Sequence, residues 1–222
     1  MLNRLFFSDK KNHYLQYITI YITAYIRRNN LEKLIKSLKG LPVKIIICDS
    51  SPDEWEYKNN FNWIEYKHSP NQLLYKVLFD AANNCKTPYL MWNNDDDMIN
   101  INGLINSIEC IHNEKRYSSV TGRLRKKRSN YGKKEFYDWR ENFNYISSDP
   151  IERINNMFEC FCSPVHDVMR KECMEKSCEI VLNNCDFYPI RFFDRIVGMV
   201  QAIYGSKKVI NYTLLKRSKN QS

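Results

Sequence analysis

The 222-residue chain has no apolar run long enough to cross a bilayer. Its longest, Tyr14 to Ile26, is interrupted by Gln16 and by threonines and tyrosines, and falls short of the roughly 20 residues a spanning helix needs. A secretory signal is missing too: Leu5-Phe-Phe7 is too short for a signal core, and the charged Asp9-Lys-Lys11 follows it instead of preceding it. These two absences make the cytoplasm the expected compartment. The cysteines at 48, 85, 110, 160, 162, 173, 178 and 185 contain no C-x-x-C pair, so their spacing gives little support to a zinc site. Without export a disulfide framework is not expected either, and buried free thiols are the reading, with Cys160-Phe-Cys162 as alternating core residues. Internal repeats and low-complexity linkers are also absent. At this length the expectation is one domain with a substantial core.

What is present points to a folded, anion-seeking protein. Forty-three per cent hydrophobic and 14% aromatic residues argue against disorder. A net charge of +9 favours nucleic acid, phosphorylated substrates or an anionic membrane surface, without choosing among them.

Over the first hundred residues strand and helix patterns alternate. Tyr17 to Thr23 is β-branched and aromatic, and Arg27 to Lys39 carries Leu31, Leu34, Ile35 and Leu38 at helical spacing before Gly40. Val43 to Cys48 is a second strand and Asn62 to Tyr66 a third. Asn71 to Asn83 places Leu74, Val77, Leu78 and Ala81 on one helix face, and Tyr89 to Trp92 is a fourth strand. This order predicts an α/β fold, a mainly parallel sheet flanked by helices. Further on, a helix is expected from Asn102 to Asn113, a strand over Ser118 to Gly122, a loop from Asn130 to Pro150, a strand from Phe158 to Met169 and a helix from Asp194 to Tyr204.

The most informative stretch is Pro88-Tyr-Leu-Met-Trp-Asn-Asn-Asp-Asp-Asp-Met98. Asp95, Asp96 and Asp97 follow a buried strand, at the edge where open α/β sheets hold ligands. Three adjacent carboxylates call for a neutralising partner, and Mg²⁺ or Mn²⁺ carrying substrate phosphates would serve. The alternative is a solvated acidic turn that caps the following helix.

In this order, the motifs resemble a GT-A glycosyltransferase of the family-2 type, of the small bacterial surface-polysaccharide kind. Ile18-Thr-Ile-Tyr-Ile-Thr-Ala-Tyr-Ile-Arg-Arg28 is similar to the family's first strand and nucleobase-contacting turn, although a proline common there is missing around Thr23. Ile45-Ile-Ile-Cys-Asp-Ser-Ser51 resembles the second strand, Lys76-Val-Leu-Phe-Asp-Ala-Ala82 the helix that supplies a basic residue, and Asp95-Asp-Asp97 the DxD motif. The likeness is closest over 17–105, the expected nucleotide-binding half, and looser over 106–222, the expected acceptor-side half. It implies a metal-dependent, inverting transferase using Mn²⁺ or Mg²⁺. The enzyme would move sugar from a nucleotide-diphosphate sugar donor to a glycan or lipid-linked acceptor.

The resemblance assigns roles to individual residues, each with a plainer alternative. Asp97 would ligate the metal, and Asp95 would touch the ribose or reach the metal through water; Asp96 would point away, and a capping acid is the alternative. Asp49 would accept from the base or ribose, or simply form an Asx turn with Ser50-Ser-Pro52. Thr23 and Tyr25 would flank the base, or merely pack. Lys76 would reach a phosphate, or lie on a solvated face. Asp194 in Arg191-Phe-Phe-Asp-Arg195 is the candidate general base, with Asp167 and then Asp186 as rivals, and an N-cap or a salt bridge with Arg191 or Arg195 as the alternative. His166 is read as structural. Arg123 to Arg128, with Lys133 and Lys134, reads first as a solvated loop. Its functional readings are peripheral contact with a lipid-linked acceptor at the inner membrane face, or nucleic acid, with Tyr131, Phe136, Tyr137 and Trp139 as stacking partners. A basic nucleic-acid binder and a nucleotidyltransferase using the aspartates are the rival functions.

Overall fold

The computed structural model describes residues 9–130, 133–138, 143–184 and 192–217. A short helix α1 (Asp9–Asn12) leads into β1 (Ile18–Ala24), α2 (Arg28–Leu38), β2 (Lys44–Asp49), β3 (Glu65–His68), α3 (Leu74–Asn84) and β4 (Tyr89–Asn94). These four strands pair in parallel in the spatial order β3-β2-β1-β4, so their carboxyl ends share one edge. The alternation in sequence therefore produced the parallel half as expected. Beyond it come β5 (Asp97–Ile99), α4 (Ile101–Asn113), β6 (Tyr117–Asn130), β7 (Lys133–Asp138), α5 (Pro150–Glu159), β8 (Val168–Arg170), α6 (Lys171–Asn183), α7 (Phe193–Tyr204) and β9 (Ser206–Arg217). The sheet continues β8-β6-β9-β5 with β7 hairpinned onto β6, and antiparallel pairs enter here, so the whole sheet is mixed.

Both faces of the sheet are covered. Ile18, Ile20 and Ile22 of β1 pack with Leu31, Leu34, Ile35 and Leu38 of α2 and with Leu104, Ile108 and Ile111 of α4. Tyr21, one register step away, turns to the opposite face with Ile46, Leu90 and Trp92, under α3, α6 and α7. Each fully buried Leu or Ile contributes about 1.5–3 kcal/mol, and the two apolar layers hold the ligand edge rigid. Gly40 ends α2 at φ +80°, a left-handed conformation that glycine adopts without penalty. Gly103 is required by close packing, since a Cβ there would sit 2.1 Å from the Thr213 carbonyl oxygen on β9.

The second half departs from expectation in several places, α6, β9 and the extension of β6 to Asn130 among them. Part of the expected 130–150 loop is the strand β7. The expected strand over 158–169 is the end of α5, a connecting loop and the short β8. Asp149 and Pro150 begin α5, with Asp149 Oδ1 accepting from Ile151 N at 2.9 Å, a capping signal at the end of a stretch otherwise poor in periodicity. The cysteines in the described residues are free; Cys160 is exposed rather than core, and burial pushes the Cys48, Cys173 and Cys178 thiols up to about 12. Cys185 lies outside the described residues. Among those residues no helix is long and apolar enough to cross a membrane.

Candidate active site

At the shared carboxyl edge the chain leaves β4 in a tight turn. Asp95 N donates to Thr23 O at 3.2 Å, and Asn93 Nδ2 donates to the carbonyls of Asn94 at 2.7 Å and Asp97 at 3.0 Å. The three aspartates are not a solvated turn: Asp95, Asp96 and Asp97 are 1%, 6% and 0% exposed. They do not cap α4 either, because Asn100 does so, accepting from Gly103 N at 3.1 Å.

Each carboxylate has its own neighbours. Asp95 Oδ2 accepts from Tyr25 N at 3.1 Å, and Arg27 Nε lies 3.0 Å from Oδ1. The same guanidinium reaches Asp96 Oδ2 at 2.5 Å. Asp97 Oδ2 lies 3.0 Å from His166 Nε2 and 3.4 Å from Asn94 Nδ2. The turn thus pairs Asp95 with Asp96 around Arg27, whereas an extended segment would have set Asp96 apart. Burial, reinforced by the Asp96 charge, raises the Asp95 carboxyl to about 6 against the opposing Tyr25 N–H and Arg27.

Asp49, at the end of β2, is completely buried. Its carboxylate accepts from Ser51 N at 3.0 Å, Ser51 Oγ at 2.5 Å, Tyr66 Oη at 2.5 Å and the Arg28 guanidinium. Burial alone would raise its pKa, but the donors from Arg28, Ser51 and Tyr66 outweigh it and hold the group below its ordinary value. The Asx turn is therefore what forms, and the carboxylate's acceptor positions are taken by protein. Beside it, at the ends of β1 and β2, opens a cavity of about 470 Å³ lined by Ile26, Arg28, Ser51, Pro52, Asp53 and Trp55.

Thr23 Oγ accepts from Trp92 Nε1 at 3.1 Å and so ties β1 to β4, whereas Tyr25 is 53% exposed at the mouth of the site. Lys76 stands exposed in the first turn of α3. Asp194 is half-buried in the first turn of α7, where Phe192, not Asp194, is the N-cap. Among the described residues Asp194 forms no ion pair, while the preceding Arg191 lies outside them, as does Asp186. Phe193 packs on Trp92 with ring centroids 5.9 Å apart, anchoring this end of α7 beside β4. The rival Asp167 turns inward, 0% exposed, with its Oδ2 2.7 Å from Lys207 Nζ. The basic segment read as a solvated loop is strand instead: 123–128 run in β6 and Lys133 and Lys134 in the antiparallel β7, because each strand finds a partner alongside; the side chains of 124–130 and 133–138, and residues 131, 132 and 139, lie outside what is described.

Two neighbours of the aspartates were not assigned to the site from sequence: Arg27, which was not singled out, and His166, which was read as structural. Arg27 lies inside the stretch likened to a nucleobase-contacting turn, which was the available signal. His166 meets Asp97 only through the pairing of β4 with β8, which no local pattern encodes.

Among the described residues no three His, Cys, Asp or Glu side chains converge tightly enough to cage an ion. The turn offers instead Asp97 beside His166, together with Asp95 Oδ1, which is buried and accepts no aligned hydrogen bond. That donor set fits a divalent cation that completes its shell with substrate phosphates and water.

A family model described as Glycosyl transferase family 2 matches residues 19–172. No curated protein sequence matches the chain. Among solved structures the fold is similar to the crystal structure of S. aureus TarS 1-349, with TM-score 0.60, 13% identity, and coverage of 90% of this chain and 60% of that one. It is also similar to the crystal structure of S. aureus TarS, with TM-score 0.58, 13% identity, and coverage of 91% and 36%. The chain thus spans 60% of the shorter of these two, and at such identity the likeness speaks for the fold alone.

Proposed function

The chain belongs to glycosyl transferase family 2, with a fold of the GT-A type, and we propose that it moves a sugar from a nucleotide-diphosphate sugar onto a glycan or lipid-linked acceptor. The observation that carries this reading is the buried Asp95–Asp97 turn at the carboxyl end of β4, inside the matched residues and next to an open cavity at the ends of β1 and β2. Residues 17–105 form the nucleotide side and 106–222 the acceptor side.

In this reading the nucleoside enters beside Arg28 and Ser51, with exposed Tyr25 against the base and Thr23 holding the strand end beneath it. Asp49 shapes the pocket by fixing Arg28 and Ser51 rather than by touching the base, because its acceptor positions are filled. Lys76, in the first turn of α3, faces the phosphates with the helix dipole behind it. Asp97, with Asp95, would hold Mn²⁺ or Mg²⁺. The bound cation supplies Lewis-acid neutralisation of the charge that develops on the leaving diphosphate. Asp194 takes the proton of the attacking acceptor hydroxyl, with inversion; its half-buried carboxylate, free of ion pairs among the described residues, leaves it available as a base. The basic Arg123–Lys134 segment suits an anionic lipid-linked acceptor at a membrane surface.

Melting curves with UDP, GDP, dTDP and CMP, each with and without Mn²⁺, test the reading. A nucleoside diphosphate should raise the melting temperature, and raise it further with Mn²⁺. Turnover should release a nucleoside diphosphate; release of pyrophosphate would instead mark a nucleotidyltransferase. Indifference to every nucleotide, combined with tight DNA binding that weakens steeply with salt, would transfer the case to the nucleic-acid reading.

A further inference from the structure

Strand register carries part of the basic sequence to the acidic turn. β5 and β9 run antiparallel, with Asp97 opposite Arg217 and Met98 opposite Lys216. β9 pairs in turn with β6, where Arg217 meets Lys126 and Lys216 meets Arg125. β6 pairs with β7, where Lys126 meets Tyr137 and Arg125 meets Asp138. The register shifts between β6 and β9 end at Leu124, so these pairs follow one unbroken register. Two neighbouring rows therefore cross the same strands. The first holds Asp97, Arg217, Lys126 and Tyr137, and the second Met98, Lys216, Arg125 and Asp138. Successive positions along a strand belong to opposite faces of a sheet, so the first row shares the face of Asp97 and the second does not.

We propose that Arg217, Lys126 and Tyr137 form an acceptor subsite, one that takes a phosphate carried by the acceptor close to its reacting hydroxyl. The proposal rests on the transferase reading above, in which Asp97 marks the reaction centre. Neighbouring strands lie about 4.8 Å apart, so the backbone positions of Arg217 and Lys126 stand about 5 and 10 Å from Asp97 along the row. The row sets two cations beside one acid, and in that reading the acid belongs to the donor's metal. The second row differs, since it ends in Asp138. A guanidinium fork matches phosphate oxygens, an ammonium adds a second point charge, and together they suit the double charge of a phosphate monoester. Tyr137 closes the row with an aromatic ring, the type that stacks on sugars. Lys216 and Arg217 lie far in sequence from the 123–134 cluster, and only the pairing of β9 with β6 brings the two basic stretches side by side.

The test is a titration of the full chain with glucose 6-phosphate, followed by ³¹P nuclear magnetic resonance in EDTA so that no cation draws phosphate to the turn. Flotation with phosphatidylglycerol vesicles and binding of a short DNA duplex run alongside. Wild type should bind glucose 6-phosphate more tightly than glucose. Arg217→Gln and Lys126→Gln should each weaken glucose 6-phosphate about 10-fold, the worth of a hydrogen bond to a charged group. Arg217→Lys should retain part of the affinity, and with Lys126→Gln it decides the matter should Arg217→Gln fail to fold. Lys216→Gln and Arg125→Gln remove the same charge from the same strands but from the other face, and should change the affinity by less than about 2-fold. Equal losses in all four glutamine variants, or a loss in none, overturn the subsite. So does an effect confined to vesicles or to DNA, which would make the strands a membrane or nucleic-acid surface. Failure of wild type to bind glucose 6-phosphate overturns it as well. If a nucleoside diphosphate with Mn²⁺ still raises the melting temperature, the transferase reading stands without the subsite; if neither nucleotide nor phosphosugar binds, both fall.

Discussion

Asp49→Asn separates an organising carboxylate from a ligand-binding one. The native group is buried beneath four protein donors, two of them from Ser51 and the others from Tyr66 and Arg28. Asparagine keeps the size and one acceptor oxygen, but its amide nitrogen must face Arg28 or Tyr66, donor against donor. Breaking a buried ion pair by removing one partner costs about 3–5 kcal/mol. Arg28 is 26% exposed and can recover some hydration, which favours the lower end, about 3 kcal/mol. In a domain of this size each kcal/mol moves the melting temperature by about 2–4 °C, so the expected fall is about 6–12 °C at pH 7. The pH dependence has a definite sign. The folded pKa lies below the ordinary 3.8, so the charge-linked stability is fully present above that value and is lost as pH falls through the folded pKa. Melting curves followed by circular dichroism at pH 7 and near pH 3 provide the assay, and the gap between wild type and variant should narrow on acidification. A gap under about 2 °C at neutral pH, or one that widens in acid, would refute the reasoning.

Asp194→Asn should lower turnover by about 10²-fold or more while nucleotide affinity stays near wild type; because Phe192 is the N-cap, near-normal turnover would show that Asp194 is not the base. Lys207→Met should destabilise the fold by about 3–5 kcal/mol by stranding the buried Asp167, and adding Asp167→Leu should recover much of the loss; equal melting temperatures for single and double variants would refute the pairing.

Asp97 shows how far local pattern reaches. An apolar strand running into three acids marked the ligand edge of β4, and that edge is where the aspartates stand. The alternative reading was a solvated acidic turn; instead the carboxylates lie under Arg27, Tyr25 and His166, supplied by the turn after β1 and by the loop before β8. Asp49 was legible as a strand-end acid with an Asx-turn alternative. That it makes the turn and also carries Arg28 and Tyr66 depends on side chains that no spacing rule brings together. In the second half the chain pairs across long separations, as when Tyr117 meets Ser206, and its polar stretches become strands only because a partner lies alongside.

By itself the sequence determined the parallel half of the sheet, its two apolar layers and the edge on which the acids gather. Period-2 and period-3.6 patterns are local, and burial follows from them wherever the sheet is covered on both faces. Only the tertiary structure decided which groups neutralise those acids. An ion pair needs a few ångströms between atoms, and a separation of 69 in sequence between Asp97 and His166 shrinks to 3.0 Å through strand pairing that the pattern does not specify.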